Sequence, residues 1–160
     1  MKKFLFLFLA LFTINYANVA KGEIDTKSEE GNKMMNEISV KDYEAVKKAL
    51  NNYLEAGKKG NSKILQPSVY KDAIMYSAAD GNVEGGSIKA LFEYLDSNPA
   101  AIELEADITS VDIAGNIAYA KVESNNWHGA RYTDMFLLVK DGNEWKILTK
   151  TFHTHKQNIR

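Results

Sequence analysis

Two segments near the carboxyl end gather the side chains that could do chemistry. The first, Trp127 to Phe136, sets Trp127, Arg131 and Asp134 among apolar neighbours; the second, Lys150 to His155, carries Lys150, His153 and His155. An aspartate in an apolar strand is a candidate general base, because loss of water raises a carboxyl pKa; equally, it serves as an acceptor for backbone or Tyr hydroxyl groups at the strand rim. Arg131 and Asp134 are three positions apart and fall on opposite faces of a regular strand, so they need not pair. Trp127 is a core aromatic or a stacking platform for a planar ligand. His153 and His155 share a face at a spacing compatible with metal. A zinc site needs a third and usually a fourth ligand, and in a chain without Cys only His128 or a carboxylate such as Asp134 could supply them. No metal and no cofactor are expected, and His153 is assigned to hydrogen bonding at a cavity or its rim. Lys150 points into that cavity or, as a long cation keeping its head wet, to solvent.

Several other chemistries are excluded by what the chain lacks. With no Cys there are no thiolate nucleophiles, thiol metal sites or disulfides, so the core alone must hold the fold. Ser77, Ser87, Ser110 and Ser124 sit on no Gly-flanked nucleophile elbow. Glu103, Glu105 and Asp107 occupy the solvent register of their strand, which argues against a glycosidase carboxylate pair. No glycine-rich strand-to-helix fingerprint marks a nucleotide site. Lys plus Arg number 20 against 21 Asp plus Glu, a formal net charge of −1, so nucleic acid is not expected as a partner.

The elements that must position these residues are legible from periodicity. Val40, Tyr43, Val46, Ala49 or Leu50, Tyr53 and Leu54 recur at helical spacing, with Ser39 as N-cap and Gly57 or Gly60 as the end. Asn61-Ser62 caps a further turn that Pro67 closes. Ala73 to Ser77 alternates as a strand, turns at Asp80-Gly81-Asn82, and returns briefly through Val83-Glu84 before Gly85-Gly86 breaks the pairing. Ser87 then caps a helix with Ile88, Leu91, Phe92 and Leu95 on one face, ended by Asn98-Pro99. Strands follow: one on which Ile102, Leu104, Ala106 and Ile108 face inward, then Ile117 to Asn125, Arg131 to Lys140 and Glu144 to His153. The third of these has apolar residues on both faces from Phe136 to Val139, so it reads as buried on both sides. Met135, Leu137 and Val139 would then form a sheet-to-sheet homodimer interface. The expected fold class is α+β: a curved antiparallel sheet, with a four-stranded meander, wrapped around a long N-terminal helix as a cone with an internal cavity.

The chain of 160 residues fits one such domain, over residues 39–156. Met1-Lys2-Lys3 and the apolar run Phe4 to Phe12 read as a secretory signal peptide over residues 1–20. A stable membrane anchor is not expected, because about 20 apolar residues are needed to span the bilayer and Asn15, Asn18 and Lys21 interrupt too early. Residues 21–38 are a polar linker. The expected location is periplasmic or secreted.

Tyr43-Glu44-Ala45-Val46 through Tyr53-Leu54-Glu55-Ala56-Gly57-Lys58-Lys59-Gly60, Gly85-Gly86-Ser87-Ile88-Lys89-Ala90-Leu91-Phe92, Asn126-Trp127-His128-Gly129-Ala130-Arg131-Tyr132-Thr133-Asp134-Met135-Phe136, and Asp141-Gly142-Asn143-Glu144-Trp145-Lys146-Ile147 with Lys150 and Phe152-His153 together resemble the putative lumazine-binding family. That family lies within the SnoaL-like and ketosteroid-isomerase-like (nuclear transport factor 2-like) superfamily. The resemblance spans Val40 to His155 and implies a cone with a cavity, often in a homodimer packed through its sheet. The favoured function is an exported small-molecule-binding protein, in which Tyr43, Tyr53 and Trp127 supply apolar walls and Arg131, Asp134, Lys150 and His153 orient the ligand. The alternative is an isomerase, cyclase or dehydratase with Asp134 or His153 as general base. A purely structural dimer is a third reading.

Overall fold

The computed structural model describes residues 40–79 and 81–155. The signal peptide over residues 1–20, the linker over 21–38, the Ser39 cap and Asp80 of the first hairpin turn lie outside the described residues. Among those described, no helix is long and apolar enough to cross a membrane.

Helix α1 spans Val40–Lys59 and buries Val46, Ala49, Leu50, Tyr53, Leu54, Ala56 and Gly57, a stripe at three- and four-residue spacing. Gly60, at φ +58°, ends it: the amides of Gly60 and Asn61 turn back onto the carbonyls of Gly57 and Ala56. The short helix α2, Ser62–Leu65, is capped by Asn61, whose side chain accepts from the Lys63 amide, and it runs into a 3-10 turn over Gln66–Ser68. Strands β1 (Val69–Ala79) and β2 (Asn82–Ser87) form a hairpin before helix α3 (Lys89–Ser97). Asp96 of α3 accepts from both the amide and the hydroxyl of Ser62, at 2.8 Å each, joining the two helices. Strands β3 (Glu105–Ala114), β4 (Ile117–Trp127), β5 (Ala130–Asp141) and β6 (Glu144–His155) complete the chain.

The result is the α+β cone: an N-terminal helix against a curved, open sheet. All six strands join one sheet in the order β2-β1-β6-β5-β4-β3. The meander therefore does not end at β6, because β1 pairs with β6 in parallel and carries the hairpin onto the same sheet. Gly85 and Gly86 do not break the hairpin; they pair with Tyr76 and Met75. A Cβ at Gly85 would clash with the Met75 carbonyl oxygen, so glycine lets this strand continue rather than stopping it. Strand β3 starts at Glu105, after a turn in which the Leu104 amide bonds the Ala101 carbonyl, and Ile102 is 83% exposed instead of facing the core.

One face of the sheet carries Ala118, Ala120, Val122, Phe136, Leu138, Trp145 and Ile147, which join Val46, Leu50 and Leu54 of α1 in a single core. At the closed end the Trp145 indole N–H and Lys140 Nζ both reach Asp42 Oδ1, at 2.9 and 2.7 Å, fixing the first turn of α1 to the sheet. Strand β5 is not buried on both sides. It alternates, with Met135 45% and Leu137 50% exposed on the outer face.

Candidate functional site

The open end of the cone is built by parity and by two interruptions of it. Along β5 the inward residues are Tyr132, Asp134, Phe136 and Leu138, in unbroken alternation. On β4 the inward set is Ala118, Ala120, Val122 and Ser124, which would turn residue 127 outward. One extra residue between Ser124 and Trp127, with Asn126 at φ +58°, reverses the parity and turns Trp127 inward. Strand β6 does the same. Leu137 pairs with Thr149 but Leu138 with Ile147, so Leu148 is the extra residue; Trp145 and Ile147 face the core before it, Lys150 and Phe152 after it.

These shifts converge on Asp134, which has no exposed surface. Tyr53 Oη, from α1, donates to Asp134 Oδ2 at 2.8 Å, and Lys150 Nζ lies 2.7 Å from Asp134 Oδ1. Each carboxylate oxygen thus has its own partner, a hydroxyl that donates to Oδ2 and a cation in ion-pair contact with Oδ1, which together offset the cost of burying the charge. Lys150 is itself 4% exposed, and its Nζ sits 4.0 Å from the centre of the Phe152 ring, within cation–π range. Burial pushes the Lys150 ammonium pKa below its ordinary value, against the opposing pull of the Asp134 charge. Burial, then the Asp134 charge, pushes the Tyr53 phenol well above the usual tyrosine range.

Beside this cluster opens a cavity of about 260 Å³. Tyr53 and Trp127, whose ring centres are 5.1 Å apart, form one wall, and Tyr132 and Phe152 another, with Lys150 as the charged group on the lining. Helix α3 closes it with Leu91 and Tyr94, and β1 contributes Met75. Trp127 can lie against α1 only because residue 57 is glycine: a Cβ there would fall 2.6 Å from Trp127 Cζ2. At the rim, His128 Nε2 donates to the Pro99 carbonyl at 2.8 Å, which leaves Nδ1 as the acceptor for the Tyr94 hydroxyl at 2.6 Å.

Four of the residues singled out from sequence are thus brought together: Tyr53, Trp127 and Lys150 on the lining and Asp134 directly behind. Tyr43 is not among them. It lies ten residues before Tyr53, roughly 15 Å along the helix, and packs half-buried against the core. Arg131 and His153 point to the opposite face of the sheet. Arg131 Nη2 lies 3.7 Å from Glu123 Oε2, and the exposed His153 ring stacks edge-on with His155. Parity turns both outward: His153 is three residues after inward Lys150 on a regular stretch of β6, and Arg131 is three before inward Asp134 on β5. Among the described residues no three ligating side chains converge around this histidine pair. The residues that the sequence reading missed are Tyr94, Tyr132 and Phe152. The last two were legible by period two from Asp134 and Lys150, and Tyr94 by its place one turn after Leu91.

A helix packed into a curved open sheet, with a cavity at the wide end and a buried acid–base cluster in its wall, defines a cone protein of the nuclear transport factor 2-like class. Within that class the chain belongs to the family described as "putative lumazine-binding", whose model matches residues 41–153. It is 32% identical over 123 residues to a Cladobotryum protein named aldolase FrzH, a match covering 76% of this chain and 98% of that protein. It is similar to two crystal structures, both titled as NTF2-like proteins of unknown function. The one from Shewanella baltica is 33% identical with a TM-score of 0.72, covering 76% of this chain and all of that one. The other, from Methylobacillus flagellatus, is 33% identical with a TM-score of 0.70, covering 75% and 97%.

Proposed function

We propose that this protein binds a small, partly aromatic or carbonyl-bearing molecule in the cavity between α1, α3 and the inner face of β4–β6. One observation carries the reading: a cavity walled by Tyr53, Trp127, Tyr132 and Phe152 offers a single charged group, Lys150, at one end. An aromatic slot with one fixed donor recognises a planar molecule that places a carbonyl or carboxylate oxygen at that donor. The binder works after export, a reading supported by the basic and apolar start of the chain. It works as a homodimer, a reading supported by the exposed Met135 and Leu137 on the outer face. Amino-terminal sequencing of envelope protein and sedimentation velocity test these two points.

The deciding experiment is to identify by mass spectrometry what copurifies with the native protein, then to compare its affinity for wild type and Trp127→Ala. The expected compound is planar with a carbonyl group, and the substitution costs about 0.5–1.5 kcal/mol of aromatic interaction beyond the lost contact area. An unchanged affinity sinks the cavity reading.

Catalysis is the second reading, favoured by the buried Tyr53–Asp134–Lys150 cluster and by the name of the aldolase relative. With His153 on the outer face, the acid–base group for such a reaction is Asp134 acting with Lys150.

A further inference from the structure

We infer that Lys150 captures its ligand covalently: its ε-amine condenses with an aldehyde or ketone in the cavity to form an iminium, with Asp134 handling the protons. This inference rests on the small-molecule reading of the cavity and narrows the ligand to a carbonyl compound.

Placement is the first argument. Lysine side chains of this length normally carry their charge to water, yet Lys150 ends on the cavity wall at 4% exposure. Stability does not explain the burial, since a buried ion pair is commonly no better than well-packed apolar residues of similar volume. A desolvated amine in an apolar pocket is a recognised way to make lysine a nucleophile. Lys150 Nζ lies 2.7 Å from Asp134 Oδ1 and beside the Phe152 ring, at the boundary between the carboxylate and the cavity.

Proton and charge balance is the second. A proton crosses the 2.7 Å from Nζ to Asp134 Oδ1, leaving a neutral amine beside a neutral carboxyl. The nitrogen lone pair attacks the carbonyl carbon, the C–N bond forms, and the carbonyl π pair moves to oxygen, which takes the proton from Asp134. The nitrogen returns one of its own protons to Asp134, giving the neutral carbinolamine. The C–O bond then breaks, its oxygen leaving as water with that proton, while the nitrogen lone pair forms the C=N bond. The ammonium and the carbonyl compound have become an iminium and water, with no oxidant or reductant consumed. One positive charge faces one negative charge at the start and at the end, so the buried site never holds an uncompensated ion. Tyr53 is a positioning residue, its hydroxyl holding the far carboxylate oxygen at 2.8 Å throughout. Where the captured compound has an α C–H, the iminium draws that bond's electrons toward nitrogen and Asp134 receives the proton. The resulting enamine carbon can attack a second carbonyl group.

The test uses benzaldehyde, a planar aldehyde without an α C–H, so only the capture step is read. The full-length protein is incubated with benzaldehyde and cyanoborohydride, which reduces an iminium to a stable amine, and adducts are mapped by peptide mass spectrometry. The expected result is one benzyl group on Lys150, formed before any surface lysine is modified. Lys150→Arg keeps a cation beside Asp134 and should lose that adduct while remaining folded. Benzyl groups spread over surface lysines with none on Lys150 overturn the inference. Equilibrium dialysis of benzaldehyde separates the two readings: saturable binding without a Lys150 adduct overturns the iminium and leaves the cavity reading standing. Neither binding nor adduct overturns both.

Discussion

Strands β5 and β6 run the same ladder with two opposite outcomes. Thr133 pairs with His153 and the next rung pairs Asp134 with Phe152, so the polar groups of the outer face and the buried carboxylate are one residue apart. On the outer face, Glu123 is contacted by Lys121 at 2.7 Å, by the Thr133 hydroxyl at 2.8 Å and by Arg131 at 3.7 Å, all within reach of water. Thr133, its own proton given to Glu123, accepts from His155 Nε2. On the inner face, Asp134 has no exposed surface and, among the described residues, is held by Tyr53 and Lys150. The contrast teaches where charge is tolerated because it is cheap and where it persists at a cost. Exposed pairs contribute about 0–1 kcal/mol, whereas removing one partner of a buried pair costs about 3–5 kcal/mol.

The sharpest way to break this comparison is to delete the inner cation. Lys150→Met preserves most of the side-chain volume but leaves the Asp134 carboxylate buried with one partner, and should destabilise the protein by about 3–5 kcal/mol in urea unfolding. Adding Asp134→Asn removes the orphaned charge and should recover most of that loss. A Lys150→Met protein as stable as wild type would show that the carboxyl carries no charge in the fold.

A smaller effect follows from the contact that seats Trp127. In Gly57→Ala the new methyl group falls 2.6 Å from Cζ2 and 2.7 Å from Cη2 of the indole, so the ring must move toward the cavity. Overpacking costs about 1–3 kcal/mol, and the gain in helix propensity of about 1 kcal/mol offsets part of it. Net stability should fall by about 0–2 kcal/mol while cavity affinity drops, because the wall now occupies ligand space. Calorimetric titration of the copurified ligand reads the second effect; unchanged affinity would mean that Trp127 is not a wall of the binding site.

How much of this could be read from the chain divides along the same line. Tyr53 lies on the α1 stripe with Leu50 and Leu54, and Asp134 lies in phase with Phe136 and Leu138, so local period placed both. Parity also separated Arg131 from Asp134. Trp127 and Lys150 face inward only because of extra residues at 125–126 and at Leu148; Ile147-Leu148 fits a regular strand, and Asn125-Asn126, though Asn is poor in strands and favours positive φ, does not say which of the two residues is extra. Without the bulge, counting by two from Trp145 and Ile147 points His153 inward; with it, Lys150 takes that face and His153 the other. The parallel pairing of β1 with β6 joins residues more than seventy positions apart, and no local pattern encodes it. The family resemblance supplied the cone, but not which face each side chain takes.

The smallest expected effect is on the outer face, and it tests whether the two faces are independent. Arg131→Ala leaves Glu123 with Lys121 and Thr133, the two contacts that chiefly hold its carboxyl below the usual range, so the acid limb of stability should barely move. The sign is fixed: a carboxyl with a depressed folded pKa adds stability above its unfolded pKa and loses it as pH falls through the folded one. Removing the weakest contributor raises the folded pKa slightly and moves that loss to marginally higher pH. His153→Ala removes an exposed ring that meets His155 edge-on. Each variant should stay within about 0.5 kcal/mol of wild type in urea unfolding, as surface substitutions do. Each should also keep full affinity for the copurified ligand in calorimetric titration. A large loss of affinity in His153→Ala would mean that the ligand is read from the outer face, across the sheet from Asp134, and the division of labour between the two faces would fail.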